Sequence, residues 1–164
     1  MIIVWAILAV LFVSFGLVVY RGAPYVPTKK ATIETALSLV PLEKGDLFVD
    51  LGSGDGSVVL HAARKGFRAV GYELNPLLNI IARWRCRGLP VKIFTRDFWL
   101  TPLPPDAKAV FVFLAGPYMK KLTRKLKKEA GSRDQPLYLI SNGFAVPGLA
   151  PHKSEGGLWV YKIC

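Results

Sequence analysis

Three acids and a glycine-rich turn are the residues best suited to chemistry in this chain. Val49-Asp50-Leu51-Gly52-Ser53-Gly54-Asp55-Gly56-Ser57 is a turn punctuated by glycine, and Glu73 follows 21 positions after Gly52 at the close of another apolar run. Glycines without Cβ atoms let the chain turn sharply and let a ligand approach the backbone. Amide groups at the start of a following helix favour a carboxylate or phosphate there. An acid at the end of the second strand of a strand–helix–strand unit is commonly placed to accept ribose hydroxyls. The spacing therefore predicts a ligand that carries a ribose. Asp97, in Lys92-Ile93-Phe94-Thr95-Arg96-Asp97-Phe98-Trp99, is the third acid; taken alone, it reads as a turn residue ahead of Pro102, Pro104 and Pro105.

The elements that must position these residues follow from periodicity. Helices are predicted over 30–40, 57–65, 77–87 and 118–129, and strands over 46–51, 68–73, 91–95, 108–114, 136–141 and 157–163. Such alternation predicts an α/β fold, a mainly parallel Rossmann-like sheet with helices on both faces. The dinucleotide fingerprint needs glycine or alanine where this chain has Ser57, and its extra glycine falls at Gly56. The turn therefore reads Gly-x-Gly-x-Gly, a pattern that also occurs as plain structural punctuation.

In order and strand context, the Asp50–Gly56 turn, Glu73 and Asp97 resemble the motifs of class I S-adenosylmethionine methyltransferases. Further strings narrow the resemblance: Pro24-Tyr25-Val26-Pro27-Thr28, Gly71-Tyr72-Glu73-Leu74-Asn75-Pro76, Asp97-Phe98-Trp99 and Leu158-Trp159-Val160-Tyr161. Over about residues 24 to 164 the chain resembles the membrane-anchored lysine methyltransferase family that acts on the ATP synthase c subunit and the adenine nucleotide translocase, with its prokaryotic relatives. It departs from that pattern at Ser57, where arginine is expected, and in the loop after the fourth strand. The resemblance implies S-adenosyl-L-methionine (SAM) as cofactor. It implies cofactor contacts from Thr28, Asp50, Gly52, Ser53, Gly54, Asp55, Gly56, Glu73, Leu74, Asn75, Asp97 and Phe98, with Asp97 accepting from the adenine amino group. The expected acceptor is a lysine of a membrane-associated, membrane-embedded protein. Methylation of a membrane lipid or small amine, and a catalytically silent SAM-binding membrane protein, are the alternatives.

The acceptor side is expected after the fourth strand, where Leu114-Ala115-Gly116-Pro117-Tyr118 lacks the polar residue that orients a planar amide or base amine. Leu114, Gly116, Pro117 and Tyr118 are the candidate catalytic positions, backbone carbonyls of 114–116 lining a channel with Tyr118 or Phe144-Ala145-Val146-Pro147 as a wall. A plain strand-to-helix turn is the competing reading.

Ile2 to Tyr20 has no charge, and its 19 residues would rise about 28 Å as a helix. The expectation is a transmembrane anchor over 1–22, ahead of one methyltransferase domain over 23–164. Arg21, Lys29 and Lys30 then put that domain in the cytoplasm, or in the matrix of a mitochondrion. The net charge is +11. Much of it lies in 117–129, where Met119, Leu122 and Leu126 recur at helical spacing among six basic residues. That run reads either as a surface helix with a solvated face or as an attraction to anionic lipid. A nucleic-acid partner is not expected of a tethered enzyme. Cys86, Cys164, His61 and His152 have no metal-ligand spacing, and no metal is expected.

Overall fold

The computed structural model describes residues 4–5, 26–131, 133 and 135–163. In chain order the elements are α1 (Lys30–Ser38), β1 (Leu47–Leu51), α2 (Ser57–Arg64), β2 (Arg68–Glu73), α3 (Pro76–Arg85), β3 (Val91–Thr95), β4 (Ala107–Val112), α4 (Gly116–Ala130), β5 (Leu137–Asn142), β6 (Lys153–Glu155) and β7 (Leu158–Ile163). They build a seven-stranded sheet in the order β3-β2-β1-β4-β5-β7-β6. β1 to β5 are mutually parallel, and β7 runs antiparallel between β5 and β6.

β1 is buried along its whole length because it lies at the centre of the sheet with helices on both sides. Alternate side chains serve the two layers. Phe48, Ala69, Ile93, Ala109, Phe111 and Ile140 face Ile33 of α1, Val58, Val59 and Ala62 of α2 and Ala82 of α3. Leu47, Val49, Leu51, Val70, Val110, Val112 and Leu139 face Met119, Leu122 and Leu126 of α4. The predicted, mainly parallel α/β sheet with helices on both faces is therefore the observed arrangement. β6 has no counterpart among the predicted strands: its three residues are exposed and show no apolar alternation.

The register places the candidate residues at one edge. Leu51 pairs with both Tyr72 and Val112, and Glu73 pairs with Thr95. The segments beginning at Gly52, Leu74, Arg96 and Phe113 thus leave the sheet at similar heights. Strand order reverses between β1 and β4, so this edge holds a topological switch point, where open α/β sheets bind ligands.

The single-pass membrane reading does not stand. The helices from α1 to α4 have 9, 8, 10 and 15 residues, well short of the roughly 20 apolar residues a bilayer requires. No helix among the described residues is long and apolar enough to cross a membrane. Apart from Val4 and Trp5, the run Ile2–Tyr20 lies outside the described residues, as does most of the 1–22 segment. The orientation toward cytoplasm or matrix drawn from that run is withdrawn with it.

Two glycines of the turn serve different ends. Gly56 has a left-handed φ of +78°, and a Cβ there would meet Ala82 Cβ at 2.8 Å, so it lets α2 approach α3. Gly52 has φ +88° with nothing within 4 Å of such a Cβ. Gly52→Ala should cost the backbone term alone, about 1–2 kcal/mol. Gly56→Ala should add an overpacking cost of about 1–3 kcal/mol. Urea unfolding of the two variants measures the difference.

Candidate active site

Glu73 organises the edge. One carboxylate oxygen accepts the Gly54 amide at 3.0 Å, and the other accepts the Asn75 amide at 2.8 Å. The first bond ties the glycine turn to the end of β2, and the second fixes the entry to α3. A carboxylate offers about four lone-pair sites, so two remain to accept hydroxyls of a ligand. Beneath the turn, the Gly52 and Ser53 amides both donate to the Tyr72 carbonyl, at 2.8 and 3.0 Å.

At the start of α2, one of the amides expected to favour an anion is taken by the chain itself. Asp55 accepts from the Ser57 amide at 3.1 Å and from its hydroxyl at 3.0 Å, capping the first turn with the chain's own carboxylate. Arg85 pairs with Asp55 and donates to Ser57 Oγ at 3.1 Å. The Ser57 amide is thereby taken up by the chain's own carboxylate, whose charge Arg85 balances.

Asp50 is 3% exposed in β1, and its carboxyl is pushed up to about 8 by burial first and then by the charges of Glu73 and Asp55. Ser53 is buried against Gly71, where a Cβ would come within 2.6 Å of Ser53 Oγ. Its hydroxyl has no partner among the described residues, and the side chain fills space under the turn. Leu74 is half-buried, while the Asn75 side chain is spent on capping α3 through the Leu77 and Leu78 amides at 3.0 and 3.4 Å. Thr28 is half-buried in the extended lead-in to α1.

Beyond β3, Asp97 accepts the Trp99 amide at 2.8 Å, and its carbonyl accepts the Thr101 hydroxyl at 2.8 Å. Phe98, Trp99 and Tyr118 form a row, with ring centroids 4.8 and 6.3 Å apart. This row joins the Asp97 turn to α4. From α4, Lys125 donates to the Thr101 carbonyl at 2.8 Å and Glu129 accepts the Leu103 amide at 2.9 Å, holding the connection from β3 to β4.

On the acceptor side, α4 begins two residues earlier than predicted, at Gly116. The Ala115 carbonyl accepts the Tyr118 amide at 3.0 Å, and that of Gly116 belongs to the helix ladder. The proposed carbonyl channel is thereby reduced to Leu114, whose side chain is buried in the core. Pro117 is exposed in the first turn, and Tyr118 is half-buried. The ring of Phe144 comes within 3.5 Å of a Cβ built on Gly116 and lies 6.4 Å from that of Phe113. Ser141 Oγ donates to the Phe144 carbonyl at 2.6 Å, and the Val146 amide donates to Tyr161 Oη at 2.8 Å. The 144–147 wall is thus anchored by two buried strands.

Two supports escaped sequence reading. Asn79 is fully buried on α3 and donates to the Glu73 carbonyl and to Thr95 Oγ1, both at 2.9 Å, tying the ends of β2 and β3. Its signal was a polar residue on the same helix face as Ala82 and Cys86. The reach of Arg85 to Asp55 across 30 residues had no such signal. Among the described residues, no cluster could hold a metal ion.

The proton on Asp50 makes stability pH-dependent. The folded chain holds it up to about pH 8, against a value of 3.8 for an ordinary aspartate. The folded state therefore binds more protons between those values, and stability falls as pH rises through them. Asp50→Asn should flatten that fall, raising relative stability most above pH 8. Unfolding midpoints in urea for both proteins, at about pH 5 and about pH 9, check it.

The family model described as "ANTKMT methyltransferase domain" matches residues 50–153. The chain is 34% identical to the human lysine N-methyltransferase of the ATP synthase c subunit, covering 84% of this chain and 60% of that one. It is 37% identical to the Mus musculus "Adenine nucleotide translocase lysine N-methyltransferase", covering 85% and 63%. The chain thus spans about three fifths of the length of these curated relatives. Among solved structures it resembles an RNA methyltransferase from Salinibacter ruber in complex with S-adenosyl-L-homocysteine, with a TM-score of 0.75 and 30% identity over 84% of this chain and 92% of that one. Matched in sequence from Asp50 to Lys153, the span that holds the glycine turn, Glu73 and Asp97, this chain belongs to the ANTKMT methyltransferase domain family.

Proposed function

We propose that this chain is a SAM-dependent N-methyltransferase that modifies a lysine on a membrane-embedded protein, and that residues 23–164 are its catalytic domain. The observation that carries the cofactor reading is the Glu73 carboxylate bound to the glycine turn through Gly54, with acceptor sites to spare beside an open backbone at Gly52. Glu73 would accept the ribose hydroxyls, and Asp97 would take the adenine amino group. The part-buried carboxylate of Glu73 favours a cationic sulfonium donor, and the Ser57 amide is already taken by Asp55 rather than open to a pyrophosphate. Methyltransferases crystallised with the demethylated donor are among similar solved structures. The acceptors in the relatives' names, the ATP synthase c subunit and the adenine nucleotide translocase, support the lysine assignment.

When bound, SAM supplies an electrophilic methyl group. An acceptor lysine would have to enter without its proton and be held in line with the donor's methyl–sulfur bond. This chain's part is alignment and exclusion of water. Phe113 and Phe144, whose rings lie 6.4 Å apart, would flank the amine and its aliphatic stem. The absence of a polar side chain at Ala115 suits an alkyl amine better than a planar amide.

Glu73→Gln replaces one accepting oxygen with a donor while keeping the shape. Lost hydrogen bonds to a charged group cost about 1.5–3 kcal/mol, so SAM affinity should fall roughly tenfold to a hundredfold by calorimetry. Radiolabelled methyl transfer to membrane fractions should yield a protein labelled on lysine, and Glu73→Ala should abolish the label. Label in lipid or RNA would overturn the acceptor assignment, and no heat with SAM or its demethylated product would overturn the cofactor assignment.

A further inference from the structure

The fold splits the basic run 117–129 into surfaces with different duties. Met119, Leu122 and Leu126 are fully buried against the sheet. Lys125 is held by the Thr101 carbonyl and Glu129, and Lys121 lies 4.3 Å from the centre of the Trp99 ring. Lys120, Arg124, Lys127 and Lys128 remain, and Lys128 does not line the cavity described below. Lys120, Arg124 and Lys127 occupy positions i, i+4 and i+7, one stripe on the helix. All three are exposed, and none makes an ion pair among the described residues.

This stripe forms one wall of a cavity of about 290 Å³. The opposite wall is uncharged and aliphatic: Val146, Pro147 and Leu149. It belongs to the same segment as Phe144, and the bonds from Ser141 to Phe144 and from Val146 to Tyr161 hold it in place. The groove therefore lies along α4, one helical turn beyond Gly116 and two residues beyond Phe144 in the chain, basic on one side and apolar on the other, and is already formed.

We propose that this groove docks the acceptor protein through an acidic segment carrying an apolar side chain next to the target lysine; the inference rests on the lysine methyltransferase reading above. Charge complementarity selects the occupant's sign, since three cations face no carboxylate there. The aliphatic wall selects a side chain such as leucine. A single-stranded nucleic acid would call for aromatic rings on which its bases stack, and the groove's walls have none.

The test uses the full chain and a fluorescein-labelled peptide with one lysine, flanking glutamates and one leucine. Fluorescence anisotropy should show binding that weakens with added salt. Binding should weaken about tenfold in the double variant Lys120→Glu, Lys127→Glu, and similarly when the peptide's glutamates become glutamines. SAM affinity of the variant, measured by calorimetry, should be unchanged, which reports an intact fold. In methyl transfer the variant should raise KM for the peptide and leave kcat alone. Equal affinity for the glutamate and glutamine peptides, or a variant within about twofold of the parent, would overturn the proposal. So would a variant that loses a single-stranded RNA oligonucleotide or phosphatidylserine vesicles while keeping the peptide. If the parent methylates no lysine in any peptide, the lysine reading fails, while anisotropy still decides the groove.

Discussion

The site depends on a carboxylate that is shared between two turns. Glu73 stands at the end of β2, where the sheet stops supplying hydrogen-bond partners, and it receives the amide of Gly54 on one side and that of Asn75 on the other. Removing it would leave both part-buried amides to find new partners, at a cost of about 1–3 kcal/mol each. The same charge is the second cause, after burial, of the proton retained on Asp50. The shape of the glycine turn, the entry to α3 and the electrostatics beneath the turn thus have one origin.

Small residues make that arrangement possible. Gly56 lies against Ala82, and Gly71 lies against Ser53, both at distances a Cβ would violate. These contacts draw α2 against α3 and β2 against the turn, and they leave the backbone at Gly52 open. On the other face, α4 does two jobs. Lys125 and Glu129 secure the connection from β3 to β4 that carries Asp97, while the stripe of Lys120, Arg124 and Lys127 borders the groove beside the 144–149 segment.

The local signals were legible. The glycine turn followed by an acid at 73 could be read because β1 and β2 are short apolar strands whose ends are set by the turn itself, and the observed β2 spans Arg68–Glu73 as expected. The helices match their predicted spans with end shifts of one or two residues, because their apolar stripes are pronounced while their ends depend on caps. Gly116 and Pro117 look like turn residues, yet they form the first turn of α4, where proline loses nothing by lacking an amide hydrogen. β6 escapes sequence reading because its three residues are exposed, and pairing with β7 alone defines it. At the start of α2, no spacing rule could reveal that Asp55 turns back onto Ser57 and meets Arg85.

The sequence by itself determined the alternation of elements, the glycine turn and the three acids, since each is written in residues within a few positions of one another. It also showed how much positive charge 117–129 carries. Only the tertiary structure decided which of those charges are spent, which glycine is open and which is pressed against a neighbour, and that Asn79 and Arg85 support the site. These are contacts between segments distant along the chain, Arg85 with Asp55 and Lys125 with Thr101, and they exist only once the sheet order brings the segments together.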